Sequence, residues 1–180
     1  MDITGLAIAA GRGERDAATE FIRATQRDVM RFLAPLTSAP EVEDLTQETY
    51  IRALRSLPEF AGRSSARTWL FAIARRVAAD HVRNATRRPR VAAVADWQAS
   101  ADAAGAAHTP RFDEQCALTD LLAGLTAERR EAFVATQVLG MSYAEAAEVC
   151  DCPVGTIRSR VARAREDLVA ALDDRDTRSA

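Results

Sequence analysis

Four arginines, Arg158, Arg160, Arg163 and Arg165, crowd into about two helical turns near the C-terminal end of the chain, and no acid stands between Asp151 and Glu166. A guanidinium held on a helix can pair with the acceptor edge of a guanine or neutralise a phosphate, so this spacing suits the reading of a nucleic acid. The residues around the arginines sharpen that chemistry. Ser142 and Glu145 stand at capping-box spacing, which gives a helix a defined start. That helix runs through Ala146, Ala147 and Val149 to a break at Asp151-Cys152, and Pro153 brings the backbone angle favoured at the first position of a new helix. On the new helix, Ile157, Val161, Ala164 and Leu168 recur at helical spacing as a packing stripe. Thr156, Ser159, Ala162 and Arg163 then face away from it, with Arg158 and Arg160 on the flanks. Two short helices about one tight turn, with small and polar residues outward and arginines beside them, predict a helix-turn-helix whose second helix enters a major groove. A merely solvated amphipathic helix would account for the charge but not for cap, break and charge together.

The remaining charge is segregated along the chain. Glu41, Glu43, Asp44 and Glu48 are uninterrupted by a base, whereas Arg63, Arg67, Arg75, Arg76, Arg83, Arg87, Arg88 and Arg90 have only Asp80 among them. A net charge of −2 over 180 residues therefore hides a basic segment suited to an anionic partner. Within the acidic segment, Asp44, Gln47 and Glu48 share one helical face beside the Leu45 packing stripe. The attraction of acids to a helix start explains Glu41 and Glu43, but not the Gln47-Glu48 pair a turn further on. Trp69 has the size to stack on a base, yet its spacing to Leu70, Ile73 and Val77 favours the core.

These residues need helices to hold them, and the chain offers little else. Apolar residues make up 48% and charged residues 28%, a globular balance for one ordinary domain or two small ones. Periodicity predicts a helix over 19–34, with Phe21, Ile22, Thr25, Val29, Phe32 and Leu33 inward, and another over 40–56, with Val42, Leu45, Thr49 and Ala53 inward. A third over 65–86 buries Trp69, Leu70, Ile73, Val77 and Val82, after a loop punctuated by Pro58 and Gly62. From Val91 to Pro110 no apolar face persists and no arginine occurs, which predicts a linker. Helices over 112–122 and 126–139 then join the helix-turn-helix in a small bundle. No strand pattern occurs, so the predicted fold is all-α, two small helical domains joined by a flexible linker. The predicted divisions are a tail over 1–18, a first domain over 19–90, the linker over 91–110 and a second domain over 111–180. No run resembles a membrane span or a secretory signal, which predicts a cytoplasmic protein. Cys116, Cys150 and Cys152 are odd in number, which argues against a disulfide framework, and Cys150 and Cys152, with His81 and His108 remote, match no zinc pattern; neither a metal nor a cofactor is expected.

Three segments carry a resemblance: Glu43-Asp-Leu-Thr-Gln-Glu-Thr-Tyr-Ile-Arg-Ala53, Arg67-Thr-Trp-Leu-Phe-Ala-Ile-Ala-Arg75 and Cys152-Pro-Val-Gly-Thr-Ile-Arg-Ser-Arg160. Through them the chain resembles the extracytoplasmic-function (ECF, group 4) sigma factors, bacterial initiation factors of the sigma-70 family with only the region-two and region-four domains. The resemblance covers residues 19–90 and 112–172. It implies that Asp44, Gln47 and Glu48 dock on the clamp helices of the largest subunit of core RNA polymerase. It also implies that residues 60–90 open and read the minus-ten promoter element. Gly62, Arg63, Ser64 and Ser65 would form a pocket for an extruded base, and Arg75, Arg76, Asp80, Arg83, Arg87 and Arg88 would line the melted strand. The chain departs from the family pattern at Arg63, where an acid is usual, which leaves the captured base open. Thr156, Arg158, Ser159, Arg160, Ala162 and Arg163 would read the minus-thirty-five element as duplex. The linker corresponds to a segment that threads polymerase channels, and its Asp96 and Asp102 fit a nucleic-acid mimic and an inert tether equally. An anti-sigma factor joins polymerase and promoter DNA as a partner class, its existence for this chain left open.

Rival function classes fit less of the sequence. An enzyme finds no glycine-rich phosphate loop, cysteine-histidine arrangement or pocket histidine, so no catalytic residue is assigned. A stand-alone helix-turn-helix regulator has no use for the Asp44-Gln47-Glu48 face or for a second arginine-rich helix. A pure interaction module leaves the charge segregation unexplained. The sequence therefore predicts an ECF-type sigma factor that binds core polymerase, directs it to promoter DNA and promotes initiation.

Overall fold

The computed structural model describes residues 2–87, 118 and 120–179, and every regular element among them is helical. A first bundle comprises α1 (Ile3–Gly11), α2 (Arg15–Leu33), α3 (Val42–Ser56) and α4 (Ala66–Arg87). A second comprises α5 (Ala127–Phe133), α6 (Tyr143–Cys150) and α7 (Val154–Ser179). Short 3-10 turns at Ala39–Glu41 and Leu57–Glu59 bracket α3, and a π-helical stretch, Val134–Val138, prolongs α5. The predicted linker, Arg88, Cys116 and the start of the helix expected at 112–122 lie outside the described residues, as does the side chain of Arg87.

Helical spacing builds the first core. Phe21, Val29, Phe32 and Leu33 of α2 are fully buried against Leu70, Phe71 and Ala74 of α4, and the Phe32 and Phe71 rings meet edge-on at 5.3 Å. From α3, Val42, Leu45, Thr49 and Ala53 turn inward as the period requires. Besides Tyr50, whose hydroxyl is polar, the buried polar side chains among the described residues are threonines. Thr25, Thr46 and Thr49 each donate to the carbonyl one turn back at 2.7 Å, and Thr136 does so at 2.8 Å. A hydroxyl that bonds within its own helix can be buried without demanding a polar neighbour. Thr25 also meets the Tyr50 hydroxyl at 2.7 Å, while burial pushes the Tyr50 pKa up to about 12.

Two features differ from the sequence reading. Val82 is 49% exposed, because the stripe through Val77 continues at position 81, where His81 meets Glu41 at 2.8 Å. Residues 1–18 hold α1 and the first turn of α2. The composition of α1, alanine, glycine and aliphatics all round, offers no amphipathic period to detect. Its start is nonetheless capped, with the Gly5 N–H donating to the Asp2 carboxylate at 3.0 Å.

Arginines stitch the two bundles together. Arg67 donates to the Leu139 carbonyl at 2.8 Å and to Asp28 at 3.2 Å, and Arg31 reaches the Val138 carbonyl at 3.2 Å. Those carbonyls end the π-helical stretch, where a helix leaves acceptors unpaired and a partial negative charge. From the other side, Arg130 donates to the Pro35 carbonyl at 3.1 Å.

Candidate nucleic-acid interface

The helix-turn-helix is held by local bonds. Ser142 caps α6: the Glu145 N–H donates to Ser142 Oγ at 3.2 Å, and the Ser142 N–H donates to Glu145 Oε2 at 2.8 Å. The backbone and hydroxyl hydrogen bonds of Ser142 hold the Glu145 pKa below its ordinary value. Asp151 ends the helix in the left-handed region at φ 51°, a conformation aspartate tolerates better than most residues. The Cys152 N–H folds back onto the Ala147 carbonyl at 3.1 Å. Cys150 is buried, and burial pushes its thiol pKa up to about 12, so it packs as an apolar group. Pro153 stands one place earlier than expected, as the residue before Val154, with its carbonyl accepting from Thr156 at 2.9 Å and Ile157 at 3.3 Å.

Those bonds set the rotation of α7. Ile157, Val161 and Ala164 are buried to within 1%, and Leu168 packs half-buried behind them. Ser159, Ala162, Arg163 and Arg158 are exposed, and Thr156 is half-buried. Neither Arg158 nor Arg163 has a hydrogen-bond or ion-pair partner among the described residues. Arg160 is half-buried, with its guanidinium 3.6 Å from Cys152 Sγ, and the Ser159 hydroxyl donates to the Thr156 carbonyl at 2.9 Å.

On α3, Asp44 and Gln47 are exposed, whereas Glu48 accepts from Arg52 Nε at 2.7 Å. Arg52 also donates to Asp80 at 2.8 Å, and Asp80 pairs in turn with Arg83. The hydrogen bonds from Arg52 and then Arg83 lower the Asp80 pKa. Asp80, expected beside melted DNA, is thus the joint between α3 and α4. The sequence reading missed Arg52, and missed Ile51 and Leu54, which extend the Asp44-Gln47 face with side chains 43% and 40% exposed. Their recurrence at spacings of four and seven from Gln47, off the buried stripe, was the available sign.

The arginines expected along α4 are dispersed. Arg76 is exposed, whereas Arg75 turns into the seam and donates to Glu131 Oε2 at 2.7 Å. Burial opposes the Arg75 charge, but the Glu131 hydrogen bond and charge outweigh it and raise the pKa. In the loop before α4, Gly62 has φ +67°, Arg63 is exposed and Ser64 is half-buried. Ser65 caps α4 by accepting from the Thr68 N–H at 3.0 Å. Trp69 is half-buried against the loop, its ring 4.9 Å from that of Phe60.

Residues 21–88 match the family model for Sigma-70 region 2, and residues 117–168 match that for Sigma-70, region 4. Over 174 residues the chain is 50% identical to the ECF RNA polymerase sigma factor SigC of Mycobacterium tuberculosis, covering 97% of this chain and 93% of that one. The chain belongs to the ECF sigma factors. It is also 32% identical over 166 residues to the ECF RNA polymerase sigma-E factor of Escherichia coli, covering 87% of each. Among solved structures, the sigma factor RpoE from Bartonella quintana, in complex with the anti-sigma factor NepR, superposes with a TM-score of 0.68. It is 28% identical, over 86% of this chain and 96% of that one. CnrH shares the fold over 97% of this ECF sigma factor and 99% of its own chain, with a TM-score of 0.76 at 24% identity.

Proposed function

We propose a division of labour within this ECF sigma factor, which binds core RNA polymerase, directs it to promoter DNA and promotes initiation. Residues 19–90 dock on polymerase through Asp44, Gln47 and Glu48 and open the minus-ten element. The loop Gly62–Ser65 takes the extruded base, and Arg76, Arg83, Arg87 and Arg88 hold the melted strand, joined by Arg75 once it leaves Glu131. Residues 111–180 read the minus-thirty-five element through α7, and residues 91–110 tether the two. The observation that carries this reading is the outward face of α7, where Arg158 and Arg163 stand exposed and unpartnered among the described residues while Ile157, Val161 and Ala164 lock the rotation.

Polymerase supplies the chemistry, and the chain itself carries out no catalytic step. It works in the cytoplasm, where polymerase and promoter meet, and no helix among the described residues is long and apolar enough to cross a membrane. The NepR-bound relative supports an anti-sigma factor as a further partner. Run-off transcription with core polymerase and a genomic promoter library tests the reading. The expected outcome is transcripts from a subset of promoters that share both an upstream and a minus-ten sequence. Transcription no different from core polymerase alone would refute it.

A further inference from the structure

α1 lies before the Sigma-70 region 2 match, which begins at residue 21, yet it runs antiparallel along the whole loop that precedes α4. Three of its residues meet that loop, and they fall at the spacing of a single helical face. Near its C-terminal end, Gly11 abuts the Leu57 carbonyl so closely that an added Cβ would lie 2.5 Å from the oxygen. In the middle, Ile8 Cδ1 sits 3.6 Å from where a Cβ of Gly62 would stand, beneath the left-handed turn of the loop. Near its start, Thr4 Oγ1 accepts from the Ala66 N–H at 3.2 Å.

That last bond closes an account at the start of α4. The opening N–H groups of a helix have no partner within it. Ser65 satisfies the Thr68 N–H locally, whereas the Ala66 N–H is satisfied from 62 residues away. The loop is therefore clasped at its entry, its turn and its exit by one face of one helix. Between these points its own regular structure is confined to the 3-10 turn Leu57–Glu59.

We infer that α1 sets the shape of the base-capturing loop, and that Thr4, Ile8 and Gly11 are positioning residues for minus-ten selectivity. The inference rests on the reading of Gly62–Ser65 as the base pocket. A shift of the loop by a fraction of an ångström leaves polymerase docking and the upstream contact untouched, because Asp44, Gln47, Glu48 and α7 make none of these three contacts. Its effect falls on how well the pocket tells one base from another.

The test is selection from promoters randomised across the minus-ten element, using the full chain and core polymerase. Its arms are the parent, Thr4→Val, Thr4→Ser, Ile8→Ala and a direct loop variant, Ser64→Ala. Thr4→Val and Ile8→Ala should each lower discrimination at the captured base about twofold to tenfold, as expected for one hydrogen bond or a few methyl contacts. Thr4→Ser, which keeps the acceptor, should restore parental selectivity, and core affinity and upstream preference should stay parental throughout. If Ser64→Ala changes the selected base and neither α1 variant does, the inference falls and the pocket reading stands. If Ser64→Ala also leaves selection unchanged, the pocket reading falls and takes the inference with it. Should Thr4→Val fail to fold, as read by circular dichroism, Ile8→Ala decides alone.

Discussion

Arg75 of α4 and Glu131 of α5 meet at 2.7 Å across the seam between the two bundles, with only 25% and 12% of their side chains exposed. Glu131 offsets the charge of the Arg75 guanidinium and draws it into the seam, so any use of Arg75 on a melted strand competes with this pair. Glu131→Gln should therefore raise the free protein's affinity for a single-stranded minus-ten oligonucleotide about threefold to tenfold, within the worth of a hydrogen bond to a charged group. Adding Arg75→Ala to that variant should cancel the gain. Fluorescence anisotropy at fixed salt measures both, and an affinity that Glu131→Gln does not change would remove Arg75 from the strand-binding set.

Reversing Asp44 and Glu48 together to arginine should weaken binding to core polymerase while leaving the helical circular dichroism intact, because Asp44 is exposed and Glu48 gives up a single surface ion pair of small worth. Arg52 loses one partner in this variant but keeps Asp80. Parental affinity for core in the reversed protein would mean that polymerase docks elsewhere.

Along α4, the exposed Arg76 should matter more to strand opening than Arg83, whose guanidinium is already paired with Asp80. Arg76→Ala should reduce permanganate-reactive thymines near the start site more than it reduces polymerase binding. Loss of both in equal measure would point to a role in assembly instead.

On α7 the two exposed arginines should divide by position. Arg163→Ala should cost about 1–3 kcal/mol at the upstream element and relax preference at one or two bases. Arg158→Ala should instead weaken binding to all sequences and flatten the salt dependence. Selection on randomised upstream elements separates them, and an unaltered base preference in a folded Arg163→Ala protein would falsify the proposed rotation of the helix.

The capping box gives a pH signature. The folded-state pKa of Glu145 lies below the ordinary 4.5, so the fold binds this proton more weakly than the unfolded chain does. Its contribution to stability is complete above the ordinary value and is lost as pH falls through the lowered one. Glu145→Gln should accordingly melt below the parent at neutral pH and converge with it in acid. A melting difference independent of pH would show that the charge plays no part in the cap.

The sequence made legible what repeats at short range and left obscure what depends on distant partners. The stripes of α2 and α3, the capping box at Ser142 and the packing side of α7 all follow from spacing within one helix, and the structure buries or bonds them as read. Val82 was misread because position 81, on the buried row, holds a histidine whose partner lies 40 residues away. Asp80 and Arg75 are both expected beside the melted strand, but the α3–α4 joint claims the first through Arg52 and the seam claims the second through Glu131, at separations of 28 and 56 residues. Helix α1 escaped notice for a different reason. Its burial is shared around its circumference, so its sequence has no polar face to mark a period.

The threonines of the two cores have a consequence for how the molecule can come apart. Thr46, Thr49 and Thr136 close their hydroxyl bonds within their own helices, so sliding a neighbouring helix away strands none of them. The polar bonds named across the seam are instead arginine bonds to carbonyls and to one carboxylate. Such groups exchange a protein acceptor for water, salt or phosphate with little net loss. A polyanion laid along this seam would compete for the same guanidinium groups that hold the bundles together, and would so loosen the joint as it bound.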